Sequence, residues 1–294
     1  MNLDSILQIL VSGLTLGSIY AISAIGLALL WGVMGMLNLA HGTFMAIGAY
    51  ASVYAVTTLG MPWFLGLPIA FLVGLAVGWL LYQTTVRWMM GTENYETTIV
   101  VATVGIAILI KSLLFIFFTA NPKRQPFAID GGVYLSEVFL PYQTLMIIGI
   151  TLSIMVIVTT VLNKTMMGLA IRATAQHRHA AALMGVRATR VYLQVLMIAC
   201  ALAAVSGVLV SSVENVSPVT GEVAILKVFI ICVVAGLGYI PGTILVSFAM
   251  ALLEVTVQYV IAAKWGYPIM ISIAILILIY KPSGIFGAVK VTRS

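Results

Sequence analysis

The chain has 294 residues, 62% of them apolar and only 7% charged, and its net charge is +6. A soluble domain carries roughly 25% charged residues, so this composition excludes a soluble fold. Apolar runs of about 20 residues, the length a bilayer-spanning helix needs, recur along the chain and predict an all-α, polytopic integral membrane protein. They also exclude a transmembrane barrel, which alternates in segments of about ten residues.

The positive balance follows from basic residues retained in cytoplasmic loops. No basic domain outside the membrane offers a nucleic-acid surface. Cys200 and Cys232 fall inside apolar runs and read as buried thiols rather than a disulfide framework. The first ten residues, MNLDSILQIL, lack the positive region and cleavage site of a signal peptide. Their apolar stretch is therefore read as a retained helix.

From Ile6 to Leu59 the sequence has no charge, and His41 is the only ionisable side chain apart from tyrosines. Two spans use about 40 of these residues. The surplus falls at Gly32 to Gly42, GVMGMLNLAHG, which reads either as a turn at the membrane face or as an irregular stretch buried in protein. A third span is expected from Pro62 to Val86 and a fourth from Thr97 to Phe118, the latter containing Lys111. The loop Thr119 to Pro141 mixes Lys123, Arg124, Asp130 and Glu137 around a turn at Gly131 and Gly132, which suits the outer side. Tyr142 to Leu162 forms a fifth span and Val191 to Val213 a sixth, the latter rich in small residues that allow close helix packing. The loop after it carries only Glu214 and Glu222. Val228 to Ala263, interrupted at Ala235 to Gly242, is too long for one span and short for two; Trp265 to Tyr280 closes the set, and the tail holds Lys290 and Arg293. Eight or nine spans result, in one transmembrane domain over residues 1–294, with the amino terminus outside and the tail in the cytoplasm.

The longest break in the apolar pattern is Asn163 to Arg190, which holds Lys164, Arg172, Arg178, Arg187 and Arg190, with His177 and His179 and no acid. Orientation alone needs one or two positive charges. Twenty-eight residues with a helical alanine-rich core, opened by Gly168 and capped by Gly185, read as a docking element for a cytoplasmic partner.

Inside the apolar runs, paired glycine-broken regions point to a translocation path in transporters, although plain interfacial turns are the simpler reading. His41 beside Asn38 could bind a solute group or a proton, or satisfy its own hydrogen bonds within a bundle. No metal site is expected. Lys111 and Glu254 are charges at membrane depth, which by default mark function. They could pair with each other, or Lys111 could extend its stem to the outer interface. There is no G-x-x-x-x-G-K-[ST] phosphate loop and no nucleophile, base and orienting group together. The chain is therefore not expected to be an enzyme, and any nucleotide energy must enter through another subunit.

Three ordered stretches resemble the permease subunits of ABC importers for branched-chain amino acids, a family that includes relatives taking up urea, amides and other small organic solutes. They are Gly13 to Tyr50, with LNLAHG ahead of GAY; Met167 to Val186, MGLAIRATAQHRHAAALMGV; and Ala235 to Glu254, AGLGYIPGTILVSFAMALLE. The resemblance implies a bacterial inner-membrane importer built from this permease, a second one whose family pattern favours a paralogue, two cytoplasmic ATPase subunits holding ATP and Mg, and a periplasmic or extracellular solute-binding protein. Gly168, Arg172, His177, Ala181 and Gly185 would contact the ATPase. Asn38, His41, Gly42, Thr103, Gly105, Lys111, Gly236, Gly238 and Glu254 would line or shape the path, and the chain itself would bind no cofactor. The sequence departs from the family pattern at Ala235, Tyr239 and Lys111. Because Lys111 suits a carboxylate-bearing, for example aromatic, solute, the alternatives are an importer of organic acids or a proton-coupled transporter using Glu254 and His41.

Overall fold

A computed structural model describes residues 3–90, 94–119, 121–124, 131–135 and 138–287; Asp130, Glu137, Lys290 and Arg293 lie outside the described residues. The elements are α1 (Leu3–Met34), α2 (His41–Thr57), α3 (Gly66–Leu81), which continues through one π-helical turn (Tyr82–Val86) into α4 (Arg87–Met89), α5 (Tyr95–Phe118), strands β1 (Gly132–Leu135) and β2 (Val138–Pro141), α6 (Tyr142–Lys164), α7 (Met166–Gln176), α8 (Arg178–Leu183), α9 (Ala188–Val213), α10 (Thr220–Ala235), α11 (Ile240–Val260) and α12 (Gly266–Tyr280).

Among the described residues, seven helical stretches are long and apolar enough to cross a membrane: Leu3–Met34, Trp63–Met89, Tyr95–Phe118, Tyr142–Lys164, Ala188–Val213, Ile240–Val260 and Ala263–Tyr280. Helices α2 and α10, of 17 and 16 residues, reach only about 24–26 Å at 1.5 Å per residue, less than the ~30 Å of a bilayer core. With these two added, the described residues hold nine apolar helices of the bundle, seven of them long enough to span. The short pair flanks the two glycine-broken regions that made the count uncertain.

Helices α1 and α9 form the centre, and α2, α3 and α11 pack on them. Small residues set these distances. A side chain at Gly48 on α2 or at Gly74 on α3 would overlap the α9 backbone near Ala201 to Ala204, so the three helices approach to backbone contact, as small residues permit in membranes. At one end of the bundle lie α7, α8, Met34 and the turn after α10. At the other lie the start of α1, the β-hairpin and the ends of α9 and α11, where the Tyr259 hydroxyl is 3.0 Å from Ser5 Oγ. The first described residue and the last fall at opposite ends.

Three boundaries differ from those expected. Helix α10 begins at Thr220, eight residues before Val228, so Glu222, expected in the loop, is a helical residue, as is Lys227. The segment after Gly131 forms an antiparallel hairpin, Gly132 pairing with Pro141 and Leu135 with Val138. The basic stretch carries two helices, because His177 is extended (φ −154°, ψ 96°) between α7 and α8. That break frees Arg178 to lie 5.4 Å over the ring of Tyr192 on α9, a tertiary contact that overrides the helical propensity of the surrounding alanines.

Candidate functional site

Three groups of side chains carry the chemistry, and they lie at different levels of the bundle. The basic segment begins where Thr165 Oγ1 accepts the Gly168 N–H (3.1 Å) and caps α7. Gly168 therefore sits inside the first turn and does not open the helix. It is buried, and a side chain there would strike the carbonyls of Val161 and Leu162, which locks α7 to the end of α6. Gly185 closes the segment at φ +86°, a left-handed conformation that favours glycine. Ala181 is buried, and His177 and Gly185 are exposed. Arg172 faces inward, and its Nη1 is buried without a hydrogen-bond partner at the wall of a cavity of about 380 Å³ shared with Asn163, Gly238 and Tyr239. Large apolar side chains project outward from this polar segment: Met166 is 81% exposed, Leu183 89% and Met184 86%.

The second group surrounds the first broken region. Gly35 (φ +62°) ends α1, and the chain then runs buried through Met36, Asn38 and Ala40 to His41. It is an irregular stretch enclosed by protein, the arrangement that tolerates non-helical backbone at membrane depth. The Leu39 N–H donates to Thr103 Oγ1 (3.2 Å) and the Ala40 N–H to Asn38 Oδ1 (3.1 Å). His41 Nε2 lies 3.1 Å from the Ser23 carbonyl and 3.2 Å from its hydroxyl. A ring nitrogen that bonds a carbonyl must carry the proton, so Nδ1 is the acceptor. Nδ1 of His41 and Nδ2 of Asn38 are buried without partners. Gly42 touches Gly221 where α2 crosses α10. Asn38, His41, Gly42 and Thr103 are thus brought together, whereas Gly105 lies on the outward face of α5 with nothing near it. The second broken region is a tight turn, with Gly236 and Gly238 at φ +102° and +88°. Gly238 abuts Gly32, so the two broken regions meet.

Lys111 and Glu254 do not pair. Lys111 Nζ bonds Glu222 Oε1 at 2.6 Å, both side chains being partly exposed. Glu254, 1% exposed, accepts from Lys227 Nζ on Oε1 (2.6 Å), from Gln258 Nε2 on the same oxygen (3.1 Å) and from the Tyr20 hydroxyl on Oε2 (3.0 Å). Lys227 also donates to the Tyr20 oxygen (2.9 Å), closing a ring of charge-assisted bonds. Lys227 is the functional-site candidate that sequence reasoning missed. Its signal was available in AILKVFII, a lysine with apolar residues on both sides, but it stood at the edge of an apolar run whose helix starts earlier. Among the described residues, no three His, Cys, Asp or Glu side chains come together so as to hold a metal ion.

Comparison with known proteins places this architecture. Residues 9–280 match the family described as branched-chain amino acid transport system / permease component. The chain is similar to the high-affinity branched-chain amino acid transport system permease protein BraD of Pseudomonas aeruginosa (28% identical, covering 98% of this chain and 97% of the relative). It is similar to LivH of Escherichia coli K12, a permease protein of the same kind of system, at 29% identity over 98% of this chain and 97% of LivH. A probable branched-chain amino acid transport permease protein LivH of Methanocaldococcus jannaschii is 25% identical over 95% of this chain and 92% of that protein. No solved structure matches the chain. The matched family is one of transport components, not enzymes, and with nearly the whole chain matched, this protein belongs to the family of branched-chain amino acid transport system permease components.

Proposed function

We propose that this chain is the membrane permease of an ABC importer that moves a branched-chain or other hydrophobic amino acid into the cytoplasm by alternating access, driven by ATPase subunits that dock on α7 and α8. The observation that carries this reading is the outward projection of Met166, Leu183 and Met184 from a basic segment at the polar end of the bundle. Apolar side chains exposed among cations at the membrane face fit a protein partner, since lone orientation signals need no apolar surface. Relatives named as branched-chain amino acid permeases supply the solute class.

Orientation follows from charge. Among the described residues the end that carries α7 and α8 holds Arg87, Lys164, Arg172, Arg178, Arg187, Arg190 and Lys281 against Glu96 alone. The opposite end offsets Lys123, Arg124 and Lys264 with Asp4 and Glu214. The positive-inside rule then supports a cytoplasmic α7–α8 end and an outer amino terminus. In this scheme a solute-binding protein delivers from the hairpin side, a second permease completes the path, and ATP with Mg is held by the ATPases.

In this mechanism α7 moves as one body with the end of α6, because Gly168 seats directly on the Leu162 carbonyl. Motion of the ATPases would pass through that contact and through Arg178 on Tyr192 into α6 and α9. The organic-acid alternative loses its support, because Lys111 is neutralised by Glu222. The proton-coupled alternative is weakened because Glu254 holds a lysine. Affinity purification of the chain with its chromosomal neighbours tests the reading. Recovery of an ATPase that is lost in a Leu183→Asp, Met184→Asp double variant supports it, and recovery unaffected by that variant contradicts it.

A further inference from the structure

Between the first half of α1, the last turns of α11 and strand β2 lies a cavity of about 720 Å³, at the end of the bundle remote from α7 and α8. Its walls include Val11, Leu16, Ile19, Phe139, Val213 and Val255, and Lys227 and Glu254 lie at its floor. Asp4 also lines it, but sixteen residues before Tyr20 on the same helix, about 24 Å along the axis, so it belongs to the mouth.

We infer that this floor is a binding subsite for a zwitterion with an apolar side chain, the carboxylate lying on Lys227 and the ammonium on Glu254. This rests on the importer reading above and adds to it a solute site within the permease itself. Lys227 has three donors and spends two of them, on Glu254 and on the Tyr20 oxygen. Glu254 accepts three hydrogen bonds, and a carboxylate offers about four acceptor positions. One donor on Lys227 and one acceptor position, on Glu254 Oε2, therefore remain. A zwitterion laid antiparallel to the ion pair makes the four charges alternate, which meets the cost of burying the pair with a second set of attractions.

The Tyr20 hydroxyl at 2.9 Å and the Tyr267 ring, 5.9 Å from Lys227 Nζ, hold the lysine ammonium in place. The apolar part of the wall suits the solute's side chain, and Gln8, Ser12 and Thr15 make the rest of it polar. Selectivity follows from the sign of the lining. Glu214 and Glu254 oppose Lys227, which leaves one net negative charge toward the solute, with Asp4 adding a second only at the mouth. A carboxylate without an ammonium group meets repulsion there, and a zwitterion or a cation does not.

The test uses the full chain in lipid nanodiscs, labelled L-leucine as probe, and two competitors: 3-methylbutylamine, which is leucine without its carboxylate, and 4-methylpentanoate, which is leucine without its ammonium. Saturable leucine binding that the amine displaces and the acid does not is the expected result. Lys227→Met should weaken leucine binding about tenfold or more relative to the amine, which still finds Glu254, with Lys227→Arg retaining most of the leucine binding. Displacement by the acid as effective as by the amine overturns the subsite. So does absence of leucine binding when the chain assembled with its ATPases still takes up leucine, a result that leaves the importer reading standing. Absence of both binding and uptake overturns the two together.

Discussion

Lys227 Nζ lies 2.6 Å from Glu254 Oε1, joining α10 to α11 across a bundle level where the carboxylate is only 1% exposed. Removing one partner of a buried pair leaves an uncompensated charge and costs about 3–5 kcal/mol, whereas replacing both is far milder. Glu254→Ala should therefore lower the thermal stability of the purified chain sharply, and Lys227→Met with Glu254→Gln should recover most of the loss. Equal destabilisation by the single and the double change would show that the pair is not a structural unit.

Thr103 holds the irregular stretch after α1, accepting the Leu39 N–H at 3.2 Å while donating to the Val100 carbonyl at 2.9 Å. Thr103→Val keeps the shape and removes the acceptor of a part-buried N–H, which should cost about 1 kcal/mol. Thr103→Ser should restore it. A melting temperature for Thr103→Val equal to that of the parent would place the Leu39 N–H on another acceptor.

Gly48 and Gly105 make a matched pair. A side chain at Gly48 overlaps the Ala204 backbone, whereas one at Gly105 meets nothing within 4 Å. Gly48→Val should cost at least about 1–3 kcal/mol through overpacking and reduce folded yield in size-exclusion chromatography, and Gly105→Val should behave as the parent. The sequence reading put Gly105 on the path and gave Gly48 no role of its own, and only the partner helix separates them.

The Lys111 ammonium is already bound to Glu222 at 2.6 Å. Lys111→Met should consequently leave the ratio of leucine to 4-methylpentanoate uptake unchanged, and a shift of that ratio toward leucine would assign Lys111 a role in admitting acids.

Much of the bundle could be read from sequence because apolar runs bounded by charge determine where a chain must cross lipid: α5, α6 and α9 begin and end within a few residues of the expected limits. What escaped depended on partners distant in the chain. Lys227 drew no reading because the groups that neutralise it, Glu254 and Tyr20, come from other helices, Tyr20 being 207 residues away. His177 breaks the basic helix to let Arg178 reach Tyr192, a contact that local propensity cannot anticipate. Gly168 and Ala181 were expected at a partner surface and are buried, so in the proposed docking they would seat α7 and α8 and not face outward. The exposed Met166, Leu183 and Met184 are the side chains in position to touch a partner.

The most direct test of the account reconstitutes the chain with its ATPases, partner permease and binding protein in proteoliposomes and follows leucine uptake against ATP hydrolysis. Uptake that requires ATP, and that the Leu183→Asp, Met184→Asp variant abolishes while the chain remains folded, is the predicted result. Leucine uptake that proceeds without ATPase subunits under a pH gradient, or that is indifferent to the variant, would contradict it.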